Sequence, residues 1–510
     1  MISMHKSTAL CGIDGYIVDV ETDISNGLPG FDIVGLPDAS VKESKERIRA
    51  AIKNSGLVFP AKRITVNLAP ADIKKEGAHF DLPIALGILA ASNQLDVKFG
   101  QDAIFLGELS LNGDLRRVNG VLPMVISAYQ KGIKTVFLPL ENANEAAVVK
   151  GIEVFGVKNL GEILEHLLTR TLISPTVVDI DGLFRNADKE KYDFAEVKGQ
   201  LYVKRALEVA AAGGHNILMI GPPGSGKTMI ARRIPSILPD LTFEESLEVT
   251  KIHSIAGNLS SNSPLISERP FRHPHHTISS VGLSGGGANP RPGEISLSHN
   301  GVLFMDELPE FRRDALEAMR QPLEDGEITI TRAGGTATYP SNVMLVASMN
   351  PCPCGYYGDK VRECNCSQSQ IMKYMGKISG PLLDRIDLHI EVPSVKYDEL
   401  ETKEKGESSE EIKKRVDRAR KIQTERYKGL GIFANSQLTP ELMSKYCVLG
   451  EEANELLKQA FEALGMSARA HNRILKVART IADLAESENI EAEHIAETIQ
   501  YRALDKKFFN

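Results

Sequence analysis

The sequence lacks long apolar runs, and it has few cysteines. None of its apolar stretches approaches the ~20 residues of a membrane-spanning helix, and MISMHKSTALCGIDG at the start contains no apolar signal-peptide core. Six cysteines in 510 residues exclude a disulfide framework and favour a reducing compartment. We therefore expect a cytoplasmic protein without a membrane partner.

The chain also lacks an excess of positive charge, because its formal net charge is −7. A globally basic surface for nucleic acid is therefore excluded, and any such contact must come from a local patch such as a pore lining. The remaining composition, 42% hydrophobic and 25% charged, is ordinary for a globular protein. At 510 residues the chain is too long for a single core, so we expect about three domains.

The motif GPPGSGKT at residues 221–228 fits the phosphate-binding pattern G-x-x-x-x-G-K-[ST] at every fixed position. It follows an apolar, strand-like run and precedes a helix-like segment, which a chance glycine-rich turn would not explain. Glycines let backbone N–H groups point at phosphate oxygens, and a helix N-terminus adds a positive dipole end. Lys227 is predicted to reach the β- and γ-phosphates of ATP, and Thr228 to hold Mg²⁺. The predicted ATP contacts here are Gly221, Pro222, Pro223, Gly224, Ser225, Gly226, Lys227, Thr228 and Met229.

A second phosphate-site motif is NGVLFMDEL, in which an apolar strand ends at Asp306 and Glu307. Parallel sheets present the carboxyl ends of their strands to a ligand crevice. Asp306 is predicted to bind Mg²⁺ through water, and Glu307 to polarise the attacking water. Packing alone does not explain this pair, because burying charge is costly. The next strand-like run, 341–350, ends at Asn350, whose amide is predicted to orient the same water, although a terminal Asn is also a common turn former.

Several segments resemble parts of AAA+ ATPases. Residues 194–216 resemble the segment that encloses adenine, with Val197 and Gln200 in its wall, although an ordinary capped helix is the alternative. SGPLLDRIDLHIEVP resembles the segment that carries the arginine finger in the magnesium-chelatase and replicative-helicase branch. The resemblance implies that Arg385 points into the ATP of a neighbouring subunit. The alternative is an ion pair within the chain, with Asp384 or Asp387.

The last part of the chain, from about residue 400, is predicted to be helical, with a capping box at Ser408 and Glu411 and a helix that begins at Thr439-Pro440. Its segment SARAHNRILKVARTIADL matches the lid helix that carries the second arginine sensor. Arg469 is the predicted γ-phosphate contact, and Arg473, one turn later, is the alternative.

Two insertions, 253–298 and 324–341, match segments that project into a central pore in that branch. Because of that match, the basic residues in these insertions are candidate contacts to the substrate. A metal site at the histidines is less favoured, because Pro274 fixes the backbone and no acidic residue is adjacent. The candidate contacts are Arg272, His273, His275, His276 and Arg332.

Four cysteines are clustered in NPCPCGYYGDKVRECNCS. Four thiolates close in sequence suit a closed, structural zinc site, although C-x-C is tighter than the usual C-x-x-C and four reduced thiols are the alternative. The predicted ligands are Cys352, Cys354, Cys364 and Cys366. Cys11 and Cys447 are expected to be ordinary buried thiols.

The N-terminal part alternates strand-like and helix-like segments, with a hairpin predicted at Asn112-Gly113. GELSLNGDLRRVNGVLPMVISAYQKGIKTVFLP resembles the proteolytic domain of Lon-type proteases. The position that matches the Ser nucleophile is His79, and the position that matches the Lys base falls near Leu122. A leucine cannot act as a base, so the resemblance implies the fold without the protease. Acid–base work by His79 and Asp81 is the alternative, but no third group is visible, so the two are expected to be a loop pair in a scaffold domain.

The whole chain is similar to the YifB/ComM family of magnesium-chelatase-like AAA+ ATPases. That resemblance implies an α/β multidomain fold: a Lon-protease-like α+β domain (1–170), a linker (171–192), an AAA+ P-loop core (193–398) and a helical lid (399–510). It also implies a homo-hexameric, Mg²⁺-dependent ATP hydrolase that acts on single-stranded or branched DNA, as a helicase or branch-migration motor in recombination or natural transformation. The alternatives are a protein-remodelling ATPase and a magnesium-chelatase-type motor subunit.

Overall fold

The structure is a computed structural model that describes residues 2–95, 102–169, 173–185, 192–260, 263–287, 289–332, 335–359, 362–395, 406–464, 467–502, 504 and 508. The chain forms two compact units, Met1–Asn186 with Phe243–Ser267, and Ala187–Thr242 with Glu268–Asn510. The predicted linker lies outside the described residues at 171–172 and 186–191.

The first unit is built on a mixed sheet of seven strands in the order β3-β4-β2-β1-β5-β8-β9. β1 pairs antiparallel with β2, and β2 with β4, while the remaining neighbours are parallel. A short antiparallel pair, β6 and β7, confirms the predicted hairpin, since Leu109 faces Leu115 across the Asn112-Gly113 turn. The strands, numbered along the whole chain, are β1 Ile2–Cys11, β2 Asp14–Ser25, β3 Gly30–Val34, β4 Arg63–Ala69, β5 Ala103–Phe105, β6 Glu108–Leu109, β7 Leu115–Arg116, β8 Thr135–Pro139 and β9 Glu153–Val157.

The helices of the first unit cover its sheet. α2 is apolar along nearly its whole length, and every one of its residues is buried, which makes it the centre of this core. The segment between Phe243 and Ser267 contributes a further helix, α9, which packs on α3. The helices are α1 Ala39–Asn54, α2 Asp81–Ala91, α3 Val121–Gln130, α4 Leu140–Ala146, α5 Leu160–Thr169, α6 Ile180–Arg185 and α9 Phe243–Ala256.

The second unit is organised around a five-stranded sheet in the order β11-β14-β17-β10-β18, and every pairing in it is parallel. The three central strands are buried at every position, as expected for a parallel sheet with both faces covered. The carboxyl ends of β10, β14 and β17 therefore meet at one edge. The strands are β10 Ile217–Ile220, β11 Phe271–Arg272, β14 Val302–Met305, β17 Met344–Met349 and β18 Leu388–Glu391.

Two hairpins also belong to this unit. β15 Glu327–Arg332 pairs with β16 Gly335–Pro340, which confirms the hairpin predicted at 324–341. One face of this hairpin is buried around Ile330 and Tyr339, and the other exposes threonines. Arg332 is exposed at the end of β15. The shorter pair, β12 Gly285–Gly286 and β13 Arg291–Pro292, contacts β15, with the Tyr339 hydroxyl bonded to the carbonyl of Pro290 at 2.8 Å.

The rest of the second unit is helical. From residue 406 onward the described chain is mainly helix, and the capping box of Ser408 with Glu411 and the helix start at Thr439-Pro440 are confirmed. None of the described helices has the length and apolar character needed to cross a bilayer. The helices are α7 Leu201–Gly213, α8 Lys227–Ala231, α10 Ser280–Ser284, α11 Glu294–Leu297, α12 Arg313–Ala318, α13 Arg320–Asp325, α14 Gln368–Met375, α15 Gly380–Leu383, α16 Ser409–Arg426, α17 Pro440–Tyr446, α18 Glu451–Leu464, α19 Ala468–Leu484 and α20 Ala492–Gln500.

Candidate nucleotide-binding site

Lys227 lies at the start of α8, where the phosphate loop leaves β10. Its Nζ donates to the carbonyls of Gly221 and Pro222, at 2.7 and 2.9 Å. It also lies 3.3 Å from Oδ1 of Asn350, at the end of the adjacent β17. Burial lowers the pKa of Lys227 to about 8, although the charges of the nearby acid pair oppose the shift. A buried ammonium held only by oxygen acceptors fits a phosphate group as a further partner.

Asp306 follows β14 and faces Thr228 directly. The Thr228 hydroxyl donates to Oδ2 of Asp306 at 2.7 Å. The other carboxylate oxygen accepts from the hydroxyl of Ser348 and, at 3.0 Å, from the backbone N–H of Glu307. A hydroxyl and a carboxylate in contact are the oxygen donors that Mg²⁺ prefers, so the residues fit the predicted ion. Sequence reasoning missed Ser348, because a lone serine in an apolar strand carries no distinctive pattern.

Glu307 has a partner that the sequence did not reveal. Its backbone is left-handed, with φ of 55°, and its Oε2 lies 3.6 Å from Nδ1 of His276. The ring of His273 packs at a tilt against that of Phe304 in β14, and burial lowers the pKa of His273. These histidines follow β11, which is hydrogen-bonded to β14, so the sheet brings them to the acid pair. The expectation that they have no acidic neighbour was therefore wrong for His276.

Arg272 and Arg332, the two arginines of the predicted substrate contacts, have different surroundings. The guanidinium of Arg272 makes a two-point ion pair with Glu294, at 2.6 and 2.7 Å. Arg332 is exposed at the end of β15. Arg332 is therefore better placed for an external contact than Arg272.

The predicted adenine wall lies before α7. Val197 is buried, and Gln200 has a left-handed backbone. The side-chain amide of Gln200 donates to the carbonyl of Ser225 at 3.1 Å and to that of Pro393 at 3.2 Å. Its Oε1 is buried without a hydrogen-bond partner within the described residues. A buried acceptor of this kind, fixed beside the phosphate loop, fits the exocyclic amino group of adenine.

The three arginines predicted to act on phosphate have different partners. The side chains of Arg469 and Arg473 lie near Asp384, whereas, within the described residues, that of Arg385 does not contact this carboxylate. Arg385 forms an ion pair with Glu324 and donates to the carbonyl of Pro381 at 2.7 Å. The alternative of an ion pair within the chain is thus correct in kind, but the partner is neither Asp384 nor Asp387. Asp387 instead lies 3.2 Å from Nδ1 of His215.

The two lid arginines differ in exposure. The side chain of Arg469 is 64% exposed and lies 3.9 Å from Asp384. Arg473 is only 9% exposed and lies 3.5 Å from the same carboxylate. Burial lowers the pKa of Arg385, and the positive charges of Arg320 and Arg469 lower it further.

The four clustered cysteines meet in space. Their sulfurs all lie within 4.8 Å of one another, and three of the separations are 3.3, 3.6 and 3.6 Å. A tetrahedral zinc site has sulfurs about 3.8 Å apart, so the set fits a single ion. Cys447 is buried as expected, but Cys11 is exposed, so that prediction was wrong. Cys11 ends β1 at a tight turn, where its side chain faces outward.

In the first unit, the positions that match the Lon catalytic pair are part of the packing. Nε2 of His79 lies 2.9 Å from the carbonyl of Thr8, and burial lowers the pKa of His79 to about 4. Asp81 accepts from Arg47 at 2.8 Å, yet burial raises the pKa of Asp81 to about 6. Leu122 is fully buried, and its side chain offers no base.

Comparison with known proteins gives matches along nearly the whole chain. Residues 193–400 match the family described as Magnesium chelatase, subunit ChlI, residues 20–142 match Subunit ChlI of Mg-chelatase, and residues 406–502 match its C-terminal family. The Competence protein ComM of Haemophilus influenzae is 44% identical over 511 residues, which cover 99% of this chain and 98% of that protein. The Uncharacterized protein YifB of Escherichia coli is 44% identical with the same coverage. Lon protease 2 of Bacillus subtilis is 31% identical over 130 residues, 25% of this chain and 23% of that protein.

Proposed function

The chain belongs to the magnesium-chelatase-like family that includes ComM and YifB, and on that premise we propose that it is a ring-forming, Mg²⁺-dependent ATPase that moves DNA. The observation that carries the proposal is the meeting of Lys227, Thr228, Asp306 and Asn350 at one edge of the parallel sheet. These are the groups that phosphoryl transfer to water requires, because its transition state is stabilised by positioning and charge.

Each residue has a separate task in this proposal. Lys227 neutralises charge on the β- and γ-phosphates. Thr228 and Asp306 would hold Mg²⁺, which would supply further positive charge for the phosphates. Glu307 accepts the proton of the attacking water, and Asn350 orients that water. Val197 and Gln200 enclose adenine. The contacts among these groups support their roles, and the family resemblance supports the order in which they occur along the chain.

We propose that Arg385 completes the site of the neighbouring subunit. A guanidinium donated in this way neutralises charge that develops in the transition state. In the isolated chain Arg385 is paired with Glu324, so ring assembly would exchange that carboxylate for a phosphate. On the lid, Arg469 is the proposed γ-phosphate contact, and Arg473, one turn later on the same helix, is the alternative. A homo-hexamer is proposed from the family alone.

DNA is the proposed substrate because a relative of full length is named for competence. The exposed threonines of β15 and β16 with Arg332 offer hydroxyl and guanidinium donors, which suit phosphate oxygens. We further propose that the part matching Lon keeps that fold without proteolysis, that the C-terminal helices form the lid, and that the four cysteines bind one Zn²⁺. A protein-remodelling ATPase or a chelatase motor subunit remains the second candidate.

The test is the ATPase rate with branched, single-stranded and duplex DNA, each at several salt concentrations. The proposal expects DNA to stimulate hydrolysis, and the stimulation to weaken as salt rises, because phosphate contacts release counterions. Stimulation by unfolded polypeptide, and none by any DNA, would favour the remodelling alternative. Stimulation by a tetrapyrrole with Mg²⁺ would favour the chelatase alternative.

A further inference from the structure

The cysteine cluster begins two residues after Asn350, at the end of β17. Cys352 is buried, and its sulfur accepts from the backbone N–H of Tyr357 at 3.3 Å. Backbone hydrogen bonds from Tyr356 and Asn365 also reach Cys354. Backbone N–H groups aimed at sulfur are typical of loops that stabilise metal-bound thiolates, because each donor offsets negative charge on the ligand.

This loop contacts the phosphate loop directly. Gly355 has a left-handed backbone, with φ of 88°, and a Cβ built there would lie 2.6 Å from Cδ of Pro223. Real Cβ atoms do not come that close, so the backbone of Gly355 packs against the ring of Pro223 at a distance that only glycine permits. The neighbouring strand makes a second connection, since the N–H of Gly221 donates to the carbonyl of Met349 at 3.2 Å.

We infer that the metal-bound cysteine loop positions the nucleotide site. The loop holds Pro223 by the contact with Gly355, and it holds Asn350 because Asn350 lies two residues before Cys352 on the same backbone. The inference rests on the proposed zinc and nucleotide sites and deepens both. Without a metal only weak hydrogen bonds hold the four thiols together, and thiolates repel one another. Loss of the ion would therefore release the loop and the surface against which the phosphate loop packs.

The experiment uses the full-length protein and measures metal content and nucleotide affinity separately. Zinc is quantified by mass spectrometry of the purified protein, and affinity by titration with a fluorescent ATP analogue, before chelation, after chelation and after zinc is restored. We expect about one zinc per chain, a dissociation constant that rises about tenfold on chelation, and recovery with zinc, as a loss of ~1.4 kcal/mol would produce. Cys364→Ser with Cys366→Ser should resemble the chelated protein, and Cys11→Ser should not.

Gly355→Ala separates the contact from the metal, because it keeps all four thiols. It should retain zinc and still weaken ATP binding. Gly429→Ala is the matched control, since Gly429 has a similar φ of 82° and, apart from its chain neighbours, the described residues place no atom within 4 Å of an added Cβ. If zinc is absent from the purified protein, or if removing it leaves nucleotide affinity unchanged, the inference is overturned. Because neither readout depends on DNA or on turnover, a failure of the DNA proposal would leave both results interpretable.

Discussion

His276 and Glu307 are side by side, with Nδ1 of the imidazole 3.6 Å from Oε2 of the carboxylate. A carboxylate that is engaged by a ring nitrogen is less able to polarise water. We therefore expect His276→Ala to raise ATP hydrolysis without DNA by about fivefold, the effect of a contact worth ~1 kcal/mol. The measurement is steady-state ATPase activity, with His275→Ala as the control.

His275 packs at a tilt against His276, with ring centroids 4.1 Å apart, but no ion pair joins it to Glu307 in the described structure. If His276→Ala and His275→Ala change the rate equally, the effect comes from the loop and not from the contact with Glu307. A rate for His276→Ala below that of the wild type would show that the imidazole assists the glutamate.

Lys227 gives ATP binding a specific dependence on pH. Burial lowers its pKa to about 8 in the free protein, whereas a bound phosphate needs the ammonium form. The free protein therefore loses this charge as pH rises through 8, and affinity should fall by up to about tenfold per pH unit above it. Binding of the fluorescent ATP analogue at pH 7, 8 and 9 tests this prediction.

Lys227→Arg and Lys227→Ala are the controls for that titration. Arginine keeps its charge throughout this range, so its weaker binding should not change with pH. Lys227→Ala should bind poorly and lose turnover at every pH. Wild-type affinity that stays constant from pH 7 to pH 9 would contradict the assignment of the lysine to the phosphates.

Changes in the β15–β16 hairpin should weaken DNA binding without changing ATP binding. Arg332→Ala removes an exposed guanidinium near its tip, so DNA-stimulated hydrolysis should fall while basal hydrolysis stays the same. The slope of the logarithm of DNA affinity against that of salt should decrease by about 0.9, the value for one lost phosphate contact. Arg116→Ala, which removes a 66% exposed arginine of the first unit, is the control. An unchanged slope for Arg332→Ala would remove the hairpin from the DNA surface.

His79 should make the first unit sensitive to acid. Its pKa of about 4 is lower than the ~6.5 of an unfolded chain. Its contribution to stability is therefore complete above pH 6.5 and is lost as pH falls towards 4, by about 1.4 kcal/mol per pH unit. Hydrogen exchange of α2 at pH 7.5 and pH 5.5 measures this loss. His79→Gln should reduce the difference, and His275→Gln should not. Equal loss in both variants would contradict the prediction.

The sequence predicted the parts of this protein that rest on local pattern. Asp306 and Asn350 each follow a short apolar strand, and Lys227 begins the helix after the phosphate loop that leaves a third strand. Parallel strands bring such ends together. The capping box at Ser408 and the turn at Asn112-Gly113 are equally local, because each depends on residues within four positions. The cysteine cluster could be anticipated because its two pairs are close along the chain.

Contacts between distant segments could not be predicted in this way. Glu324 is the partner of Arg385 although 61 residues separate them, and nearby aspartates were the obvious candidates. His276 reaches Glu307 only because β11 pairs with β14. The contact of Gly355 with Pro223 likewise depends on the fold. A glycine can follow a cysteine for many reasons, so the sequence alone does not reveal which segment packs against it.

The most direct test of a site shared between subunits is to mix two inactive variants. Lys227→Ala lacks a working phosphate site but keeps Arg385, and Arg385→Ala keeps the phosphate site but lacks the finger. Arg385→Ala alone should bind ATP normally and fail to hydrolyse it. If Arg385 acts in the neighbouring subunit, an equal mixture should regain about a quarter of wild-type turnover, because about one interface in four of a ring then has both groups. A mixture as inactive as its components, or normal hydrolysis by Arg385→Ala alone, would contradict the account.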